Sequence, residues 1–216
     1  MRCTGGPERM IAIVGVEGSR SDDLRRAFVG LGAACEVVHS VDRLERAQKI
    51  ILPDVGSFPR GIRAIRDGGL LGPIFRAADQ GRPILGIGRG LHLFFDVSYE
   101  EGQHTGLGVI HGKVTGLDAG GHRSTGPLSL PHQGWGEVEW LEEFPLAGAG
   151  VPGGRSYYFD HSHHAEPLDE SVVCGRSNYG VDFAAVVRQG NLIGTEFRPE
   201  RSGEAGWKLL ERFARL

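Results

Sequence analysis

The run Pro83-Ile84-Leu85-Gly86-Ile87-Gly88-Arg89-Gly90-Leu91-His92-Leu93-Phe94-Phe95 passes from apolar, through a glycine-rich turn, to amphipathic. That order predicts a buried strand, a tight turn and a helix. Such a turn lifts one residue to the mouth of an α/β sheet, and in hydrolases built this way that residue is the nucleophile. Here the apex is Gly88, which has no side chain with which to attack, and Arg89 follows it. A second run, Glu196-Phe197-Arg198-Pro199-Glu200, sets carboxylates on either side of a guanidinium. Arg198 stays protonated near neutral pH and is a poor general base. Pairing with Glu200, so as to close or rigidify a pocket, suits its charge better. A third run, His161-Ser162-His163-His164, raises the question of zinc. On a strand, residues 161 and 163 face together and 164 faces away. No cysteine pair or fixed acidic ligand pattern lies near, so no metal site and no cofactor is expected.

Taken in order, these runs resemble class I glutamine amidotransferases, and look most like the glutaminase subunit of imidazole glycerol phosphate synthase. The other landmarks are Pro53-Asp54-Val55-Gly56-Ser57-Phe58, the Gly106-Leu107-Gly108 element and Leu130-Pro131-His132-Gln133-Gly134-Trp135-Gly136. Together they cover nearly all of Met10 to Leu216. The resemblance implies a three-layer α/β fold with a mostly parallel central sheet. It also implies a cyclase- or synthase-like β/α-barrel partner, to which active relatives pass ammonia released from glutamine.

The resemblance also assigns positions. Gly88 stands at the family's catalytic cysteine and Arg198 at its histidine, so Glu200 is the one triad residue retained. His92 stands where a glutamine usually helps to hold the substrate, and Glu196 replaces another glutamine. Asp54 replaces a glycine near the oxyanion site, where a backbone N–H must point at developing charge. It either caps the helix that follows or acts directly on a ligand. Trp135 lies on the loop that faces the synthase partner in relatives, with a core position as the alternative. His163 and His164 occupy aromatic positions, where they remodel the pocket or partner face or are plain surface imidazoles.

Two functions follow. One is a catalytically silent subunit that supports or regulates a barrel partner. The other is a changed, non-glutaminase reaction on a carboxylate- or phosphate-bearing metabolite, with Asp54, Arg89, His92, Glu196 and Arg198 around it.

The rest of the chain must position these residues. Its 216 residues suit one substantial domain over 10–216, after a flexible leader at 1–9, and 40% hydrophobic content can supply its core. Apolar runs at Met10–Val14, Cys35–Val38 and Lys49–Pro53 predict strands. Helical spacing appears at Asp22–Leu31, Val41–Gln48, Gly61–Asp67, Leu70–Gln80 and Gly206–Leu216. Strand–helix alternation predicts a sheet covered on both faces, with its crevice beyond the strands' carboxyl ends. Glu100 and Glu101 alone read as solvated loop charges, and the resemblance adds a pocket-wall role, because this segment approaches bound glutamine in active relatives. A formal net charge of −3 gives no nucleic-acid signal. No apolar span is long enough for a membrane helix. Cys3, Cys35 and Cys174 form no metal or redox spacing, so the reducing cytoplasm is the default compartment.

Overall fold

The computed structural model describes residues 10–118, 129–141, 144, 146 and 155–216. The leader expected over residues 1–9, and Cys3 within it, lie outside them. The chain opens with β1 (Ile11–Val14), α1 (Ser21–Gly30), β2 (Cys35–Val38), α2 (Val41–Arg46) and β3 (Lys49–Leu52). Helices α3 (Phe58–Asp67) and α4 (Leu71–Asp79) lead to β4 (Ile84–Ile87) and the short α5 (Arg89–His92). The β-rich part is β5 (Val97–Ser98), β6 (His104–Thr105), β7 (Gly112–Gly116), β8 (His132–Trp140), β9 (Arg155–His161) and β10 (His163–Pro167). Then come β11 (Val173–Asn178), β12 (Asp182–Gln189), β13 (Leu192–Thr195) and α6 (Gly203–Arg215).

Nine strands form the central sheet in the order β2-β1-β3-β4-β13-β12-β11-β8-β9. Pairing is parallel from β2 through β13 and antiparallel from β13 to β9. The sheet expected to be mostly parallel is therefore mixed. Its parallel half carries the βα loops, and its antiparallel half forms an arm. A second sheet, β10-β7-β5-β6, packs beside it.

Strand periodicity explains the layers. Ala12, Val14, Ile50, Leu52 and Ile84 point to one face, where they meet Phe58, Ile62, Ile65 and Ile74 of α3 and α4, with Val114 and Ala165 of the second sheet. Their neighbours Ile11, Ile13, Ile51, Leu85 and Ile87 point to the other face, against Leu24 and Phe28 of α1 and Leu209 and Phe213 of α6. Both faces are covered, so β1, β4 and the part of β3 after Lys49 read as unbroken apolar runs. No helix among the described residues is long and apolar enough to cross a membrane.

One local reading changes. Residues 161–164 do not continue one strand. Ser162 separates β9, an edge of the central sheet, from β10, an edge of the second sheet. Strict alternation fails at this bend, and His161 and His164 are both buried.

Candidate functional site

The turn after β4 is the centre of the site. Gly88 has φ 55° and ψ −121°, a backbone state that side chains rarely adopt. Its N–H donates to the Thr195 carbonyl at 2.8 Å, which ties the turn to the end of β13. Two residues on, a Cβ at Gly90 would lie 2.0 Å from the Leu52 carbonyl oxygen. Helix α5 therefore sits directly on the end of β3, and only glycine allows that approach.

Asp54 lies over the turn. A Cβ built on Gly88 would stand 3.3 Å from the Asp54 carboxylate. Asp54 Oδ1 accepts from the Arg89 backbone N–H at 3.3 Å and from its Nη1 at 3.4 Å. It caps no part of α3, whose N-cap Ser57 makes no side-chain bond either. Instead, the first N–H of α3, from Phe58, donates to Glu100 Oε2 at 3.1 Å. Glu100 also accepts from Arg89 Nε at 2.8 Å and is only 4% exposed. The solvated loop charge expected at Glu100 is thus a buried anchor, whereas Glu101 is exposed. Arg89 is the bridge between Asp54 and Glu100. Burial pulls its pKa down, but the two carboxylates outweigh burial and the net shift is upward.

Arg198 approaches from the loop after β13. Its side chain is 2% exposed. Nε and Nη2 donate to Glu200 Oε1 at 3.0 and 2.9 Å, and Nη1 donates to Asp160 Oδ2 at 3.4 Å. Asp54 Oδ2 lies 3.8 Å from Nη1. Burial works against the guanidinium's charge, yet Glu200, Asp54 and Asp160 together raise its pKa. It takes no proton at any ordinary pH. Burial holds the Glu200 carboxyl above the usual range, even though Arg198 pulls it back. Arg201 extends the network, 3.7 Å from Asp160 and over the Tyr158 ring at 4.0 Å. A crevice of about 290 Å³ lies beside these groups, between Arg20, Asp54, Arg89, Asp160 and Ser162.

Behind the elbow runs a buried polar chain. A carboxylate only accepts, so His92 Nε2–H donates to Glu196 Oε1, at 2.8 Å. His161 Nδ1–H donates to the His163 carbonyl at 2.8 Å and lies 3.4 Å from the same Glu196 oxygen. His161 Nε2 is then the acceptor for His132 Nδ1–H at 3.0 Å. His132 is itself stacked between Phe159 and Tyr179. Burial alone would raise the pKa of Glu196, but His92, His161 and His164 outweigh it and hold it low. Burial pushes His132 down to about 4, with His161 adding to it, and also lowers His161, His163 and His164.

These shifts set a pH dependence. A histidine whose folded pKa is depressed binds fewer protons folded than unfolded between that value and about 6.5. Its contribution to stability is present above 6.5 and is lost as pH falls. Glu196 adds a loss in the same direction at lower pH, and Glu200, raised by burial, works in the opposite sense. Acidification from pH 7.5 to 5 is expected to cost about 2 kcal/mol or more in sum, a fall in Tm of roughly 4–8 °C. Thermal melts across that range check it, and His132→Phe should flatten the slope. A Tm that holds or rises on acidification would contradict the assignment.

The structure brings Asp54, Gly88, Arg89, Arg198 and Glu200 together, and sets His92 and Glu196 immediately behind them. Trp135 lies away on β8. It is 59% exposed, edge-on to Tyr158 across the β8–β9 pair, so it is a surface group and not core. His163 is half-buried, while His164, at 8% exposure, faces Thr115 and Phe183 in the interior. It is not a surface imidazole and presents no partner face. Asp160 is a site group that sequence reasoning left without a role, and Glu100, His132 and His161 enter the site through partners it did not assign. Their partners stand far along the chain, where no local spacing points. No group of histidines, cysteines and acids among the described residues is arranged to hold a metal ion.

No family model matches the chain. Among curated proteins it is 37% identical over 211 residues to the imidazole glycerol phosphate synthase subunit HisH of Moorella thermoacetica, covering 96% of this chain and 95% of that protein. It is 35% identical to the HisH subunit of Geobacter metallireducens over 204 residues, 94% of this chain and 97% of the relative. Among solved structures, PurLQS from Thermotoga maritima superposes with a TM-score of 0.73 at 20% identity, over 96% of this chain and 98% of that one. A glutamine amidotransferase crystal structure gives 0.71 at 18%, over 95% and 99%. These likenesses show the fold, the three-layer α/β arrangement of class I glutamine amidotransferases.

Proposed function

We propose that this chain, which belongs to the family of imidazole glycerol phosphate synthase HisH subunits, is a catalytically silent member acting as one domain over residues 10–216. It binds a β/α-barrel synthase and supports or regulates it without releasing ammonia from glutamine. One observation carries the reading: the elbow apex is Gly88, and the group that would be its base is Arg198, tied to Glu200, Asp160 and Asp54. Amide hydrolysis at such an elbow needs a nucleophile, a group that takes and returns a proton, and donors for the oxyanion. Glycine supplies no nucleophile. A guanidinium held charged supplies no base. Asp54 sets negative charge over the turn, where negative charge would develop.

The same pairing weakens the reading of a changed reaction on an anionic metabolite. That reading needs Arg198 to offer open donors, and its Nε, Nη1 and Nη2 are all held by Glu200 and Asp160, while Arg89 gives Nε and Nη1 to Glu100 and Asp54. Buried charges arranged in this way hold one another and fix the wall of the crevice in place.

The proposed partner surface centres on Trp135, with Tyr158 and Arg201 beside it. Trp135 and Arg201 are exposed and Tyr158 is half-buried beside them, and these are the residue types enriched at interface hot spots. Co-expression with the barrel synthase should give a stable heteromer by size-exclusion chromatography with light scattering. Its synthase reaction should run on ammonium salts and stay indifferent to glutamine, with no glutamate released. Trp135→Ala should weaken the complex by about 2 kcal/mol, roughly 30-fold in Kd. Saturable, glutamine-dependent glutamate release from the complex would overturn the silent reading. Failure to form any complex would overturn the partner reading.

A further inference from the structure

A cavity of about 540 Å³ opens between the second sheet and the antiparallel arm of the central sheet, in the size range of small-molecule sites. None of Gly88, Asp54 or Arg198 lines it. One wall is a face of β7 and β10. Strand pairing sets Thr115 opposite His164 and Lys113 opposite Glu166, and a period of two brings both pairs onto that face. Glu166 accepts from the Thr115 hydroxyl and lies 3.1 Å from Lys113 Nζ. The other wall carries Arg176 on β11, paired with Glu170, and Asp182 at the start of β12. Phe183 and Val173 supply an apolar floor.

A face turned toward another sheet is ordinarily apolar. This one is a polar block whose inner members, Thr115 and His164, are buried, while Lys113, Glu166 and Arg176 are part exposed at the rim. Both charge signs stand on each wall, Lys113 with Glu166 on one and Arg176 with Glu170 and Asp182 on the other. A ligand of one sign alone would meet like charge on part of every approach. A small molecule with both signs on a short frame, and an apolar portion for the floor, matches the whole lining.

We propose that this cavity binds a free α-amino acid. The Lys113–Glu166 and Arg176–Glu170 pairs are solvent-exposed and weakly held, unlike the buried pairs of Arg198, so the ligand's carboxylate takes Arg176 and Lys113, its ammonium takes Asp182 and Glu166, and its side chain rests on Phe183 and Val173 within reach of Thr115 and His164. The two charged groups on the α-carbon give orientation, and the apolar floor gives selectivity among side chains.

Isothermal titration and thermal melts on the full chain, with each proteinogenic amino acid at millimolar concentration, test this. At least one should bind and raise Tm by a few degrees. Its decarboxylated amine and its des-amino acid should each bind at least about tenfold more weakly, a loss of about 1.4 kcal/mol. Arg176→Ala and Asp182→Asn should each cost a similar factor. Circular dichroism shows whether each variant is folded, and Glu166→Gln replaces Asp182→Asn if the β11–β12 hairpin is disturbed. Absence of binding by every amino acid would overturn the proposal. So would a binder indifferent to these substitutions, or one whose amine or acid alone binds as well.

Discussion

Cysteine placed at residue 88 leaves glutamine hydrolysis at background, and so does the same change combined with Arg198→His; activity is expected only once Asp54→Gly is added. The turn itself suits a nucleophile, because φ 55° and ψ −121° at residue 88 is the strained state that lifts a side chain above the sheet. The obstacle is what the side chain would meet. A Cβ there stands 3.3 Å from the Asp54 carboxylate, and a thiol beside a carboxylate is pushed away from its reactive thiolate form. Histidine at 198 restores a base that Glu200 can orient, but Asp54 still opposes the oxyanion. With the barrel partner present, the triple variant should exceed Gly88→Cys by at least about 10²-fold, the low end of what one positioned proton-transfer group contributes. Glutamate release and mass-spectrometric trapping of a thioester read it out. Activity from Gly88→Cys alone would show that Arg198 and Asp54 are not the barrier.

Arg198→Ala should destabilise the chain by about 3–5 kcal/mol, the usual loss when one partner of a buried ionic network is removed. For a chain of this size that is a fall in Tm of roughly 6–20 °C. The change leaves Glu200, 3% exposed at its side chain, without its cation, and leaves Asp160 with Arg201 alone. Arg198→Met together with Glu200→Leu should recover most of the loss, since both charges then leave together. A residue kept only for catalysis would give neither result. A near-neutral Arg198→Ala, or a double variant no more stable than the single, would remove the network from the account of this fold.

The parts visible in sequence were those whose physics is local. β1, β3 and β4 announce themselves as short apolar runs because both sheet faces are covered. The turn at Gly88 follows from its glycines and from the change of period around it. The Arg198–Glu200 pair is two residues long in sequence, and it forms. What was hidden depends on distance along the chain. Glu100 reads as a loop charge until Phe58 and Arg89 are seen around it, and Asp54 reads as a cap for the next helix until α5 is seen to bring it Arg89. His164 was misread for another reason: alternation assumes one strand, and Ser162 divides two.

β13 lies between β4 and β12, in the middle of the nine described strands, yet it is the last of them in the chain. During synthesis β1 to β4 leave the ribosome long before it, by several seconds at roughly 5–20 residues per second. Until β13 arrives, β4 presents a free and wholly apolar edge, which is a template for wrong pairing between chains. A chain cut short before Leu192 leaves that edge of β4 without its partner strand. The loop after β13 carries Glu196 and Arg198, so the step that closes the sheet also delivers the buried charges. The ion network around the elbow is therefore assembled last, as a latch on a sheet already paired.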